Sequence, residues 1–251
     1  VARYQITLAY DGTDFYGSQR QAKARTVQGE LENALRRIGW QGRSVLLAGR
    51  TDTGVHASGQ VAALDFPEWK HSPADLLEAL NSQLPRDMSA RQVNPVADDF
   101  HPRFDALARR YVYRIFFQPV RDPLKERYAW RIWPALELEN LRQIASLLTG
   151  THDFLAFGTP PRPESTTIRT VSLAQWRLDD DELRFSVQAE AFLYRMVRRM
   201  VFIQVVAAQG KLPPQTVAEV LAGKLSAEAL PAGLAPAHGL CLVDVLYPNR
   251  E

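Results

Sequence analysis

The stretch from Ala48 to Gln60, AGRTDTGVHASGQ, gathers residues able to do chemistry. Glycines at 49, 54 and 59 separate a cation (Arg50), a carboxylate (Asp52), two threonines and His56. An apolar run, Val45 to Leu47, precedes it and an alternating run, Val61 to Phe66, follows, so the spacing predicts a loop between two strands. Loops carried on rigid strands are where reactive groups tend to sit. A carboxylate there serves as a nucleophile or as a general acid or base. The plain structural alternative is an aspartate accepting hydrogen bonds from the amides of a glycine-rich turn.

Several chemistries are excluded by pattern. The loop lacks the Gly-Lys-Ser/Thr of a nucleotide-hydrolase phosphate loop. No HExxH or Gly-x-Ser-x-Gly occurs, and the five scattered histidines show no metal-ligand spacing. A single cysteine, Cys241, permits neither an internal disulfide nor a thiolate cluster and reads as a small buried hydrophobe. A glycosidase would want a second carboxylate, which Asp98, Asp99 or Asp153 would have to supply through folding.

A second group of interest lies in the apolar segment Phe192 to Gln209, which reads as a well-buried helix. At about 100° per residue Arg195 and Arg199 share a stripe, while Arg198 projects among Phe202 and Val205. A buried charge costs several kcal/mol, roughly, unless paired. Arg198 therefore either reaches past its neighbours to water or meets a carboxylate, for which Asp52 is the candidate. Such a pairing would orient the carboxylate more than ionise it, since an ordinary aspartate is already charged at neutral pH.

The elements that must position these groups follow from periodicity. Tyr4 to Tyr10 alternates as a strand and ends at Asp11-Gly12; Thr26 caps a helix through Val27, Leu31, Leu35 and Ile38. Short strands flank the Asp52 loop. Ser72-Pro73 opens a second helix, and Met88 to Val93 forms a strand. The first half is thus β-α-β-β-α-β. A polar, proline-containing crossing, Asn94 to Asp105, sets the expected boundary between a half spanning 1–105 and another spanning 106–251. The second half opens on the strand Arg109 to Phe117, with Tyr111, Tyr113, Ile115 and Phe117 on one face. A helix from Glu137 to Leu148, a hairpin of Thr167–Leu178 and Glu182–Ala189, the arginine-bearing helix, a short helix from Pro214 and a last strand, Leu240 to Tyr247, complete it. The expected fold is α/β (α+β), two related halves, each a mixed or antiparallel sheet covered by helices.

With 251 residues, 46% hydrophobic and 23% charged, the composition is that of an ordinary globular protein. No apolar stretch suits a membrane span and the start carries no signal pattern, so a cytoplasmic location is expected. The net charge of +2 is small, yet the doublets Arg36-Arg37, Arg109-Arg110 and Arg198-Arg199 would form a phosphate-attracting groove if folding gathered them.

The loop GRTDTGVHASGQV resembles the GRTDAGVHA–GQ signature of the TruA-type tRNA pseudouridine synthase family. Four further segments are similar to that family in order: Tyr10-Asp11-Gly12 with Tyr16 to Gln19; Asp99 to Phe104 with Ala108 to Tyr113; Phe192 to Arg198; and Gly239 to Pro248. The resemblance implies a pseudouridine-synthase-type core with a central cleft. It further implies isomerisation of uridine at positions 38 to 40 of the tRNA anticodon stem-loop, by a homodimer needing neither cofactor nor metal. It makes Asp52 the nucleophile, Arg198 the arginine paired with it, Tyr111 the tyrosine packed on the target uracil and Arg50 a holder of the flipped nucleotide. Arg109, Arg110, Arg195 and Arg199 would add RNA contacts. Three departures stand out: Thr53 for alanine, Ser18 for tryptophan and Arg199 for asparagine. A non-catalytic RNA-binding module and a carboxylate-dependent nucleosidase are the alternative readings.

Overall fold

The computed structural model describes residues 2–248. The described residues divide into two compact units, one formed by residues 2–107 with 241–248, the other by residues 108–240. In the first unit the strands are β1 (Arg3–Tyr10), β2 (Leu46–Leu47), β3 (His56–Asp65), β4 (Met88–Val96) and β10 (Leu240–Leu246). Its helices are α1 (Val27–Arg37) and α2 (Pro73–Gln83). β1 pairs antiparallel with both β3 and β4. The other edge of β3 is shared: Cys241 and Leu242 of β10 run parallel to His56 and Ala57, while β2 lies antiparallel to Ala62 and Ala63. That pairing draws the last strand into the first unit, although it follows the second in sequence.

Local sequence explains the helix starts. Thr26 accepts from the Gly29 N–H, and Ser72 forms a reciprocal cap with Asp75, with Pro73 at the first helical position. Tyr4, Ile6, Leu8 and Tyr10 alternate as buried residues along β1, as a one-sided strand requires, and Leu31, Leu35, Leu76 and Leu80 bury the helices. The Asn81 amide joins α2 to β4, donating to the Ala90 carbonyl and accepting from its N–H, both at 2.9 Å.

The second unit contains β5 (Ala108–Phe117), α3 (Pro123–Glu126), β6 (Trp130–Ile132), α4 (Leu138–Leu147), β7 (Gly150–Asp153), β8 (Ile168–Asp179), β9 (Glu182–Ala189), α5 (Met196–Ala208) and α6 (Pro214–Leu221). β9 pairs antiparallel with β5 and β8, β7 antiparallel with β8, and β6 parallel with the end of β5. α4 packs against β8, α5 and α6. Tyr113, Ile115, Trp176, Phe185, Val187, Leu141 and Met200 lie in its core. The Trp176 Nε1–H donates to Gln204 Oε1 at 2.8 Å, joining β8 to α5 through a buried polar contact.

Three boundaries differ from the sequence expectation: β4 runs on to Val96, into the expected Asn94–Asp105 crossing, and two others bear on the site. β3 begins at His56, so the loop ends sooner than Gln60: Ala57 and Gln60 pair with Tyr10 and Leu8, and His56 and Gln60 are buried despite their polarity. α5 begins at Met196, not Phe192. Tyr194 instead exchanges backbone hydrogen bonds with Thr159, and Arg195, at φ +64°, turns the chain into the helix. Arg195 is therefore not part of a helical stripe with Arg199. Cys241 is half-buried, not fully buried as its apolar run suggests. Among the described residues no helix is long and apolar enough to cross a membrane.

Candidate active site

In the first unit, the loop from Ala48 to Val55 joins β2 to β3 and carries Asp52. Asp52 opens a tight turn: its carbonyl accepts from the Val55 N–H at 3.1 Å, and Gly54 takes φ +78°. A residue with positive φ at that turn position favours glycine, which explains Gly54. The Gly54 N–H donates to the Phe15 carbonyl at 3.3 Å, tying the turn to the segment after β1. Asp52 itself is half-buried, flanked by buried Thr51 and exposed Thr53.

Thr51 is the anchor of this loop. Its N–H donates to Ser18 Oγ at 2.9 Å, and its carbonyl accepts from the Ser18 N–H at 3.1 Å. Its hydroxyl lies 2.8 Å from the Tyr10 hydroxyl. Burial pushes the Tyr10 hydroxyl up to about 12, so it stays neutral as a hydrogen-bonding group. The Gln60 amide donates to the Gly49 carbonyl at 3.0 Å. Gly17 sits at φ +85°, where a Cβ would fall 2.9 Å from the Thr51 carbonyl. His56, which sequence reading left without a role, accepts from the Gly12 N–H at Nδ1, 3.0 Å away.

One shell further out, Glu32 is fully buried on α1. It pairs with Arg20 at 2.5 Å and accepts from the Gln28 amide and the Val45 N–H. Gln28 accepts from the Arg20 N–H, and its own N–H donates to the Ser18 carbonyl, both at 2.9 Å. α1 thereby fixes Ser18, Ser18 fixes Thr51, and Thr51 precedes Asp52. Glu32 and Ser18 were missed as supports. The sequence offered only a faint signal, a carboxylate on the apolar face of α1.

In the second unit, Tyr111 is 7% exposed on β5 and meets Phe192 edge-on, with ring centres 5.2 Å apart. Arg198, in the first turn of α5, is half-buried. Its Nε donates to the Ala235 carbonyl at 2.8 Å, and the Ala235 N–H donates back to the Arg198 carbonyl at 3.2 Å. The reciprocal pair fixes the direction in which the guanidinium leaves the helix.

The remaining arginines differ in how their donors are used. Arg109 is buried and donates to the Glu190 carbonyl at 2.7 Å; Arg110 grips Gln188 Oε1 at 2.7 and 3.0 Å. Arg199 donates to the carbonyls of Ala156, Pro231 and Gly233, and burial lowers its affinity for the proton. These groups tie their own unit together. Among the described residues, the guanidinium groups of exposed Arg50 and Arg195 have no hydrogen-bond or ion-pair partner, although that of Arg195 lies 4.7 Å from the centre of the Tyr194 ring.

Comparison with known proteins adds the family. A family model described as tRNA pseudouridine synthase matches residues 6–105 and 144–248. The chain is 38% identical over 249 residues to the tRNA pseudouridine synthase A of Thermotoga petrophila, covering 98% of this chain and 100% of the relative. It is 39% identical over 248 residues to that of Fervidobacterium nodosum, with the same coverages. Against that of Streptomyces griseus it is 39% identical over 254 residues, 98% of this chain and 88% of the relative. With the family model matching most of the first unit and residues 144–240 of the second, and relatives aligned nearly end to end, the chain belongs to the tRNA pseudouridine synthase family.

Proposed function

We propose that the protein isomerises uridine to pseudouridine in tRNA, at positions 38 to 40 of the anticodon stem-loop, with Asp52 as the nucleophile. The observation that supports this most is Asp52 itself: a half-buried carboxylate at the head of a turn that glycines and buried hydroxyls hold rigid, in a chain of this family. Preorganisation of that kind is what nucleophilic catalysis asks of its supporting residues. Within the same reading Tyr111 packs on the target uracil, Arg198 pairs with the carboxylate and Arg50 holds the flipped nucleotide; these roles rest on the motif resemblance. Arg109, Arg110, Arg195 and Arg199 add RNA contacts in this reading; Arg109 and Arg199 also hold backbone carbonyls, and Arg110 the Gln188 side-chain amide.

The reaction is an isomerisation: the bond from the ribose anomeric carbon to N1 of uracil breaks and one to C5 forms. C5 loses a proton and N1 gains one, so atoms balance with no external electron acceptor. A paired uridine is out of reach, and flipping it out costs a few kcal/mol, roughly. Asp52 begins the exchange by attacking either the uracil ring or the anomeric carbon, and the pocket must hold the detached base while it turns. A homodimer acting in the cytoplasm completes the proposal, its doubled basic surface holding a tRNA larger than one subunit.

The test is to incubate the protein with tRNA transcripts and locate pseudouridine by carbodiimide-dependent primer-extension stops. Stops in the anticodon arm that disappear in Asp52→Ala are expected. Equal stops in that variant would remove Asp52 as nucleophile, released uracil would indicate a nucleosidase, and binding without either product would indicate an RNA-binding module.

A further inference from the structure

We infer that Tyr194 and Arg195 form a binding site for an unpaired nucleotide beside the target uridine, the Tyr194 ring stacking on its base and the Arg195 guanidinium taking its phosphate. The inference rests on the function proposed above and extends it to a site outside the Asp52 loop.

Tyr194 is 52% exposed, and its neighbour Arg195 is exposed beside it, while Leu193 and Met196 on either side are buried. Its hydroxyl has no hydrogen-bond partner among the described residues. Its backbone, in contrast, is held firmly: the Tyr194 N–H donates to the Thr159 carbonyl at 2.9 Å and its carbonyl accepts from the Thr159 N–H at 3.2 Å. Gly158 backs the same strand so closely that a Cβ there would fall 2.7 Å from Leu193 Cβ and 2.9 Å from the Tyr194 carbonyl. A rigid backbone that displays an aromatic ring to solvent matches the platforms on which single-stranded bases stack.

Arg195 supplies the charge. Its φ of +64° is a conformation disfavoured for any side chain other than glycine, asparagine or aspartate. That turn leaves the guanidinium 4.7 Å from the Tyr194 ring centre, with no ion pair or hydrogen bond among the described residues. Arg109, Arg110 and Arg199, in the same unit, are all bound to carbonyl or amide oxygens. The Arg195 donors remain available for a phosphate, for which the guanidinium fork is well shaped. Location sets which nucleotide this is. Tyr194 lies two residues, at most about 7 Å of chain, beyond Phe192, whose ring touches Tyr111, and the inferred nucleotide is accordingly a neighbour of the uridine assigned to Tyr111.

The test is binding of fluorescently labelled anticodon stem-loop RNA to variants built on Asp52→Ala, with pseudouridine formation measured separately in the Asp52 protein. Tyr194→Leu should weaken binding between about fivefold and a hundredfold, the range of a lost base–aromatic stack, while Tyr194→Phe binds within twofold of the parent. Arg195→Asn, which tolerates the same backbone, should weaken binding and lower the salt slope by about one phosphate while keeping or raising the melting temperature. Tyr194→Leu within twofold of the parent, or Tyr194→Phe as impaired as Tyr194→Leu, would overturn the site. So would Arg195→Asn with an unchanged salt slope, and this second variant decides the matter if Tyr194→Leu fails to fold. Normal binding with no pseudouridine formed by the Asp52 protein would instead refute the isomerase reading and leave the nucleotide site standing.

Discussion

Replacing Ser18 with alanine tests the claim that Asp52 is positioned through Thr51. Ser18 is fully buried, and its Oγ accepts from the Thr51 N–H at 2.9 Å. Alanine keeps the backbone bond from the Ser18 N–H to the Thr51 carbonyl and removes only this acceptor. Thr51 is 6% exposed, so water does not readily replace the lost oxygen. A buried donor left unsatisfied costs about 1–3 kcal/mol. Against a domain stability of about 5–15 kcal/mol, urea unfolding should register that loss clearly. The freed amide belongs to the residue before Asp52, so the carboxylate should also lose its fixed direction. A displacement of about 1 Å from productive geometry can cost on the order of a hundredfold in rate. The expected outcome for Ser18→Ala is a fall in kcat on tRNA of at least tenfold, roughly, with KM little changed. Thr53→Ala is the control: Thr53 is exposed, and its change should stay within about 0.5 kcal/mol. Stability within about 0.5 kcal/mol and kcat within twofold for Ser18→Ala would refute the chain of support.

Three further outcomes follow from the first unit. Tyr10→Phe should lose about 0.5–1.5 kcal/mol at pH 7 with the bond to Thr51. Because burial raises the Tyr10 hydroxyl from 10.0 to about 12, its contribution is whole below pH 10 and fades as pH rises towards 12; unfolding titrations should show a shallower alkaline decline in the variant. Arg25 grips Asp87 through two bonds of 2.7 and 2.8 Å and holds its carboxyl below the ordinary 3.8. That stability is present above pH 3.8 and lost as pH falls below it, so Asp87→Asn should flatten the acid limb slightly, the pair being only half-buried and partly screened by solvent. Gly59→Ala would place a Cβ 2.2 Å from the Val243 carbonyl, forcing β3 and β10 apart; a loss of about 1–3 kcal/mol or more is expected in thermal melts, and an unchanged melting temperature would contradict that close approach.

Much of the scaffold was legible because its physics is local. Alternation located β1 and β5, and Thr26 and Ser72 marked helix starts through the hydrogen bonds they make. The Asp52 loop was legible because glycines and polar residues crowd between two apolar runs. β6 and β7 were not, since Trp130–Ile132 and Gly150–Asp153 are too short to show a period and form only against β5 and β8. The start of α5 was misread because Phe192 and Leu193 continue an apolar pattern that suits helix or strand alike. Only the distant Thr159, across the chain, decides for the extended form.

The support of Asp52 was hidden for a different reason. Sequence reading places polar residues outside, yet Ser18, Glu32, Thr51, His56 and Gln60 are all buried near or behind one loop. A loop has no ladder partner for its backbone groups, and each buried N–H or carbonyl must find one elsewhere. The Thr51 N–H finds Ser18, the Gly49 carbonyl finds Gln60, and the Val45 N–H finds Glu32. An apolar filling of the same volume would pack as densely and leave those groups unpaired, at about 1–3 kcal/mol each. Buried polar side chains are thus the condition on which a rigid, glycine-rich loop can exist in this place. The same requirement accounts for serine at position 18: a tryptophan there could not accept from the Thr51 N–H, so in this chain the small hydroxyl residue, not a bulky aromatic, anchors the residue before Asp52.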